Sequence, residues 1–232
     1  MIIDSKGYTI LRILFLLILL VYNNLNASLL DKANEAYKQK NITKAIELYE
    51  QSARLGEDES YFKLGLIYYL GDGVKKDLQK AISNFKQAAL YNHIKSKFNV
   101  AMIYSQKKYK KHNFKKAYEI FLDLAQQNHS KAQYMLANAL IRGLGIDKDY
   151  KRALQWLEHA YFKNNYKPAR CMIAVIYANG YGVLQNFGRA NVLAREGYKE
   201  KRPVCYKVYK EFNLHKHKSD KSFKFGYYKN LK

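Results

Sequence analysis

The sequence is poor in the residues that bend, staple or break a chain. Of its 232 residues only 2 are Pro, 2 are Cys and 1 is Trp, and Gly contributes 12. So little Pro and Gly excludes a low-complexity chain and disfavours an all-β fold dense in turns, which leaves helix as the natural reading. Two cysteines, Cys171 and Cys205, are too few for a disulfide scaffold. Acidic residues are scarce too, 19 Asp and Glu against 41 Lys and Arg, for a formal net charge of +22. A basic field raises the local concentration of anionic partners. Here, however, the lysines are spread through the whole chain among many Asn, Ile and Tyr, a pattern that compositional bias alone produces, with a functional anionic partner as the alternative; because the N-terminus points to export, no nucleic-acid partner is expected.

Long apolar runs are missing as well. Counted from Ile10 to Val21 the run is 12 residues long and contains Arg12. As a helix it spans ~18 Å at 1.5 Å per residue, against ~30 Å for a bilayer core. Lys6 and Arg12 before "ILFLLILLV" (Ile13 to Val21) and the polar "YNNLNAS" after it make the layout of a secretory signal peptide. The expectation is a signal over residues 1–27, cleaved after Ala27, and a protein exported to a bacterial periplasm or secreted. The alternative is an uncleaved N-terminal helix anchored in the inner membrane.

What is present is a period. A basic residue followed by Ala occurs at Lys44–Ala45, Lys80–Ala81, Lys116–Ala117, Arg152–Ala153 and Arg189–Ala190, with spacings of 36, 36, 36 and 37. Four residues before each Ala stands Asn41, Asp77, Asn113, Asp149 or Asn186, side chains that cap a helix by accepting from its free first-turn amides. Eleven residues after the first four stand Gly56, Asn92, Asn128 and Asn164, types that tolerate the left-handed conformation ending a helix. Between these signals apolar residues recur at helical spacing, for example Ile82, Phe85 and Ala89. A second helix precedes each capped one. Its columns are Ser60, Ser96, Ala132, Ala169; then Leu64, Val100, Leu136, Ile173; then Gly65, Ala101, Ala137, Ala174. Small residues beside large ones let paired helices interdigitate.

Glycine pairs join the two helices at Gly71 and Gly73, Gly143 and Gly145, and Gly180 and Gly182. Such pairs can cradle a phosphate or simply turn a chain. The second copy decides for the turn: it holds Lys107, Tyr109 and Lys110 with no glycine, yet its flanking helices keep their pattern. A dinucleotide fingerprint would also need a strand before the turn. No cofactor is expected.

Read together, small, aromatic, Leu, Gly, Tyr, Gly-x-Gly-Val, Asp, Lys-Ala, aromatic, Ala-Ala over about 36 residues resembles the Sel-1-like repeat, a relative of the tetratricopeptide repeat. "YFKLGLIYYLGDGVKKDLQKAISNFKQAA" (Tyr61 to Ala89) carries the resemblance most fully, and "YMLANALIRGLGIDKDYKRALQWLEHA" (Tyr134 to Ala160) is similar. The copy from Ser96 loses its glycine turn, and the last copy places Asn191 and Ala194 where apolar bulk is usual. Residues 34–53 look more like an ordinary tetratricopeptide unit. The fold implied is all-α, a right-handed α-solenoid of about five helix-turn-helix repeats. Its division would be a signal at 1–27, a tetratricopeptide-like unit at 28–59, Sel-1-like repeats at 60–201, a capping helix at 202–214 and a basic aromatic tail at 215–232.

The resemblance further implies a scaffold or adaptor whose protein or peptide partner lies in a groove lined by the first helix of each repeat. The columns turned away from the core there are Lys63, Leu66, Leu70; Asn99, Met102, Gln106; Met135, Asn138, Arg142; and Met172, Val175, Asn179. Methionine mixed with amide and basic groups suits adaptable peptide binding. A cysteine-rich branch of the family is associated with penicillin binding and β-lactamase activity, which is the enzymatic alternative. Its residues are largely missing: Ser-x-x-Lys occurs at Ser60, Ser83 and Ser105, but neither Ser-Asp-Asn nor Lys-Thr-Gly is present. No catalytic residue is assigned. No metal is expected either, because His215 and His217 lack a third ligand at useful spacing and His93, His112, His129 and His159 are scattered, as solvated side chains would be. The tail "HKHKSDKSFKFGYYKNLK" carries six Lys against one Asp with interleaved aromatics, and its alternative partner is an anionic membrane or envelope polymer.

Aligning "KPARCMIAVIY" from Lys167 with "RPVCYKVYKEF" from Arg202 pairs Cys171 with Tyr206 and leaves Cys205 one residue out of its column. Neighbouring helices pack about 8–10 Å apart, whereas a disulfide needs Cα atoms within about 7 Å. The two cysteines are therefore expected to be unpaired; the alternative, favoured by an oxidising compartment, is a bridge between two neighbouring units.

Overall fold

The computed structural model describes the backbone of residues 5–220, with side chains over 11–18 and 29–220. Among the described residues eleven α-helices follow one another: α1 (Ser5–Lys38), α2 (Ile42–Arg54), α3 (Asp58–Leu70), α4 (Leu78–Leu90), α5 (Ile94–Tyr104), α6 (Phe114–Gln126), α7 (Ser130–Arg142), α8 (Tyr150–Glu158), α9 (Lys167–Asn179), α10 (Phe187–Lys199) and α11 (Pro203–Glu211). No strand occurs among the described residues. The chain divides into two compact units, residues 1–100 and 101–232.

All five expected caps form. Asn41 accepts from the Lys44 amide at 3.2 Å, Asp77 from Lys80 at 3.0 Å, Asn113 from Lys116 at 2.9 Å, Asp149 from Arg152 at 2.9 Å and Asn186 from Arg189 at 2.8 Å. Each side chain satisfies an amide that the helix start leaves without an internal partner. The left-handed stops hold at Gly56, Asn92 and Asn128, with φ of 90°, 62° and 64°, but the fourth is displaced. Asn165 (φ 49°), not Asn164, takes that conformation. The cause is a π-helical stretch, His159–Lys163, which follows α8 directly and absorbs one extra residue. The same insertion accounts for the single spacing of 37 in a series of 36.

The two glycines of each turn do different work. Gly143 closes α7 in the left-handed region at φ 69°. Gly145 is also left-handed, at φ 78°, and a Cβ there would stand 2.4 Å from the Phe114 carbonyl group, so the turn lies directly on the first residue of α6. A side chain at that position would push the turn off the preceding repeat. Tyr109 occupies the equivalent column in the copy without glycines and is 5% exposed, burying a ring where the other copies use bare backbone.

The core follows the predicted columns. In the second unit Ala101, Ala132, Leu136, Ala137, Ala153, Ala169, Ile173, Ala174 and Ala190 are buried. In the first unit Ala33, Ala45, Tyr49, Ala53, Leu64 and Ile67 form one cluster, with Leu30, Tyr37 and Ile46 packed against it. The apolar residues Leu11 and Ile13 to Ile18 lie outside any core, each between 51% and 67% exposed.

The expectation of free cysteines is wrong. Cys171 on α9 and Cys205 on α11 form a disulfide with Cα atoms 4.8 Å apart. Both side chains are buried, and a Cβ at Gly197 of α10 would fall 2.4 Å from the Cys205 sulfur and 3.2 Å from that of Cys171. Gly197 stands in the column of Ser52, and Ser52 meets Ser60 eight residues later through a 2.9 Å hydrogen bond. Gly197 meets Cys205 at the same separation. Cys205 therefore belongs to the small, close-approach column of Ser60, Ser96, Ala132 and Ala169, and the missing side chain at Gly197 lets the sulfurs reach each other.

Candidate binding surface

The twelve residues expected to line a groove lie on the open sides of α3, α5, α7 and α9. Leu70 and Arg142 are exposed and the other ten are half-buried, while the columns of Leu64, Gly65 and Ile67 between them are buried in all four copies. Three depressions gather six of the twelve. Lys63 and Leu66 border a cavity of about 370 Å³ in the first unit, Val175 and Asn179 one of about 260 Å³ in the second, and Met135 and Asn138 a shallow one of about 20 Å³. Leu70, Asn99, Met102, Gln106, Arg142 and Met172 do not line these depressions.

The first-unit cavity is completed by Asn34, Tyr37 and Lys38 of α1, Tyr49 of α2 and Ile67 of α3. Tyr49 donates its hydroxyl proton to the Asn34 side-chain oxygen at 2.8 Å, and burial pushes its pKa up to about 12. Tyr37 donates to the Asp72 carboxylate in the glycine turn of the next repeat, and that hydrogen bond raises its pKa as well. Both phenols are thus neutral, oriented donors whose protons are already engaged.

In the second unit the larger depression adds Val204, Lys207, Val208, Glu211 and Phe212 of the α11 region, together with Tyr181. Sequence reasoning stopped one repeat short at both ends. Extended back by 36 residues, the column of Leu70, Gln106, Arg142 and Asn179 lands on Asn34. Extended forward by 36, the columns of Met172 and Val175 land on Val208 and Glu211. The period contained these residues.

The first part of the expected tail is docked. The Asn191 amide donates to the His217 carbonyl at 2.8 Å, the Asn186 amide to Asp220 at 3.1 Å, and Arg189 pairs with Asp220 at 3.1 Å. This explains Asn191, whose polar group stands where apolar bulk is usual. Lys218 and Asp220 also pack against Gly188 near the start of α10, much as the Gly145 turn packs on α6. Lys221 to Lys232, with all four interleaved aromatics, lie outside the described residues.

Histidines expected to be solvated are engaged instead. His93 and His129 accept through Nδ1 from the amides of Ser96 and Ala132, each at 3.1 Å, and so begin α5 and α7. His159 meets the buried Gln133 amide at 2.9 Å, and burial lowers its pKa, which keeps it a neutral acceptor. Ser60 donates to Ser52 with both side chains buried, and Ser105 donates to the Met102 carbonyl at 2.8 Å, so neither hydroxyl is offered to a substrate. Among the described residues no group of three or more His, Cys, Asp or Glu is placed to hold a metal ion.

One buried carboxylate stands apart. Glu158, at the end of α8, is 7% exposed and its Oε2 has no hydrogen-bond partner. Burial raises its pKa from 4.5 to about 7, with Arg189 opposing the shift. A group that holds its proton more tightly when folded adds stability below its unfolded pKa and loses it as pH rises through the folded value. Glu158→Gln is therefore expected to raise the melting temperature at pH 8 and to leave it nearly unchanged at pH 4, as measured by thermal denaturation of both proteins at each pH.

The sequence profile of the Sel1 repeat matches residues 36–57, 58–92, 130–161 and 167–198. The segment left between the second and third matches contains the copy without a glycine turn. Among solved structures, a Sel1 repeat protein from Oxalobacter formigenes is similar, with 26% identity, a TM-score of 0.64, and coverage of 76% of this chain and 72% of that one. A protective antigen of uropathogenic Escherichia coli, described as displaying an SLR fold, is 23% identical with a TM-score of 0.64. That match covers 87% of this chain and 50% of the antigen, so it speaks to fold alone. No curated protein sequence matches.

Proposed function

Since the chain belongs to the Sel1 repeat family, we propose that it is an exported, non-catalytic scaffold that binds a protein or peptide partner along the open sides of its first helices. The observation that carries this reading is the alternation on those helices. Columns such as Leu64, Leu136 and Ile173 are sealed, while their neighbours Lys63, Met135 and Met172 stay accessible at the same place in successive copies. Within a unit, repeating an accessible position on successive copies offers a ligand more than one equivalent contact. The test is crosslinking of the mature protein in its native compartment, with photoreactive residues placed at Leu66, Met135 and Val175. A discrete protein captured from those positions and not from the opposite helices supports the scaffold. Capture of lipid or envelope polymer alone overturns it.

Export rests on Lys6, Arg12 and the apolar run, and on the exposure of Leu11 and Ile13 to Ile18, which contribute nothing to the core cluster that begins at Ala33. Loss of residues 1–27 would remove none of the described residues of that cluster. Among the described residues no helix is long and apolar enough to cross a membrane. Mass spectrometry of the native protein is expected to show a chain that begins near Ser28. An intact Met1 on soluble cytoplasmic protein would reverse the assignment.

A further inference from the structure

The cavity between α1, α2 and α3 combines apolar surface with charge of a single sign. Its floor is apolar, built from Leu66, the 2% exposed Ile67 and the ring of Tyr49. The ionic side chains on its wall are Lys38 and Lys63, and no carboxylate lines it. Asn34 spends its side-chain oxygen on the Tyr49 hydroxyl, so the amide N–H groups are what it has left to offer. Tyr37 has turned its proton to Asp72. Lys63 shares Glu59 at 3.2 Å, one helical turn away, and Glu59 also lies 3.3 Å from His93. That lysine pair is partly exposed, and solvent-screened i,i+4 pairs of this kind are weak, so Lys63 can exchange partners at little cost.

Resting on the scaffold reading above, we propose that this cavity receives an acidic side chain of the bound peptide, with an aliphatic neighbour set against Leu66 and Ile67. The charged groups of the lining are the two lysines, joined by the Asn34 N–H donors, and the acceptors left are the neutral phenolic oxygens of Tyr37 and Tyr49, so the charge balance favours a carboxylate over a basic or purely apolar ligand. At about 370 Å³ the cavity lies at the small end of the roughly 300–1,000 Å³ range of ligand pockets, which suits one or two side chains rather than a cofactor. The preference is local to this unit. At the position of Lys63 the later repeats carry Asn99, Met135 and Met172, none of them charged.

The experiment selects amidated dodecapeptides of random sequence on the mature chain and titrates the winners. Amidation removes the terminal carboxylate, so acidic side chains are read alone. Expected is enrichment of Asp or Glu next to Leu, Ile or Val, with affinity that falls by about tenfold or more when the acid is replaced by its amide or when Lys38→Glu or Lys63→Glu is introduced. Neither lysine is buried, so circular dichroism of these variants should match the wild type. Binders without an acidic preference, or binders indifferent to both lysine reversals, would overturn this site and leave the scaffold standing. Binding that demands a free C-terminus would overturn the side-chain assignment. Recovery of no binder at all would overturn both.

Discussion

Replacing Cys171 and Cys205 together by Ala is expected to lower the stability of the second unit by about 3–4 kcal/mol. A bridge closing 34 residues falls between the roughly 3 kcal/mol of a 15-residue loop and the 4.7 kcal/mol of a 100-residue loop in the chain-entropy description. The loss should be uneven. Repeats of this kind contact only their neighbours, so stability is close to a sum of local terms. The bridge ties α9 to α11 across Gly197, and α11, at 9 residues, is the last α-helix among the described residues. Hydrogen exchange should therefore quicken first in α11 and in Leu214–Lys216, then in α10, with α2 and α3 unchanged. Thiol labelling of denatured, unreduced protein gives the complementary result: no label is expected before reduction and two per chain after it. Two labels without reduction would mean that the cysteines are free and would remove the ground for the stability change.

The miss over this bridge shows where the sequence stopped being legible. The alignment that leaves Cys205 out of its column superposes Pro168 on Pro203. Pro168, however, is the second residue of α9 and Pro203 the first of α11. Either place is tolerated, since first-turn amides have no helical partner to lose. Superposing the helix starts instead shifts the register by one residue and moves Cys205 into the small column beside Ala169. The π-helical insertion at His159–Lys163 was legible only as a spacing of 37, with nothing to say where the extra residue is absorbed. The caps, by contrast, were fully legible. An Asp or Asn at a helix start acts through its own backbone neighbourhood, so a local pattern predicts it without knowledge of the packing. Candidate surface residues fell between these cases. Lys63 and Val175 were found by column, whereas the use of Tyr37, Tyr49 and Glu158 depends on which helices close over them, and no single repeat encodes that.

Adjacent residues of α7 provide the sharpest test of the division between core and surface. Leu136 is fully buried, in the column of Leu64, Val100 and Ile173, while Met135 one residue earlier is half-buried and borders the shallow depression beside Phe114 and Tyr118. Leu136→Ala removes buried methyl groups and leaves a cavity between close-packed helices, a change that costs about 2–5 kcal/mol depending on how far the site can collapse. Ala132 and Ala137 on the same helix and Ala153 on the next are buried too and have no longer side chain to swing into the void, which places the cost in the upper part of that range. Met135→Ala creates no enclosed void, and its cost should be about 1 kcal/mol or less. Urea denaturation of the two variants, followed by circular dichroism, makes the comparison. The effects on binding should run the other way: Met135→Ala is expected to weaken a captured partner, and Leu136→Ala to leave affinity intact at temperatures where the variant is folded. Equal destabilisation by both would mean that Met135 belongs to the core and that the open side of α7 has been assigned to the wrong face.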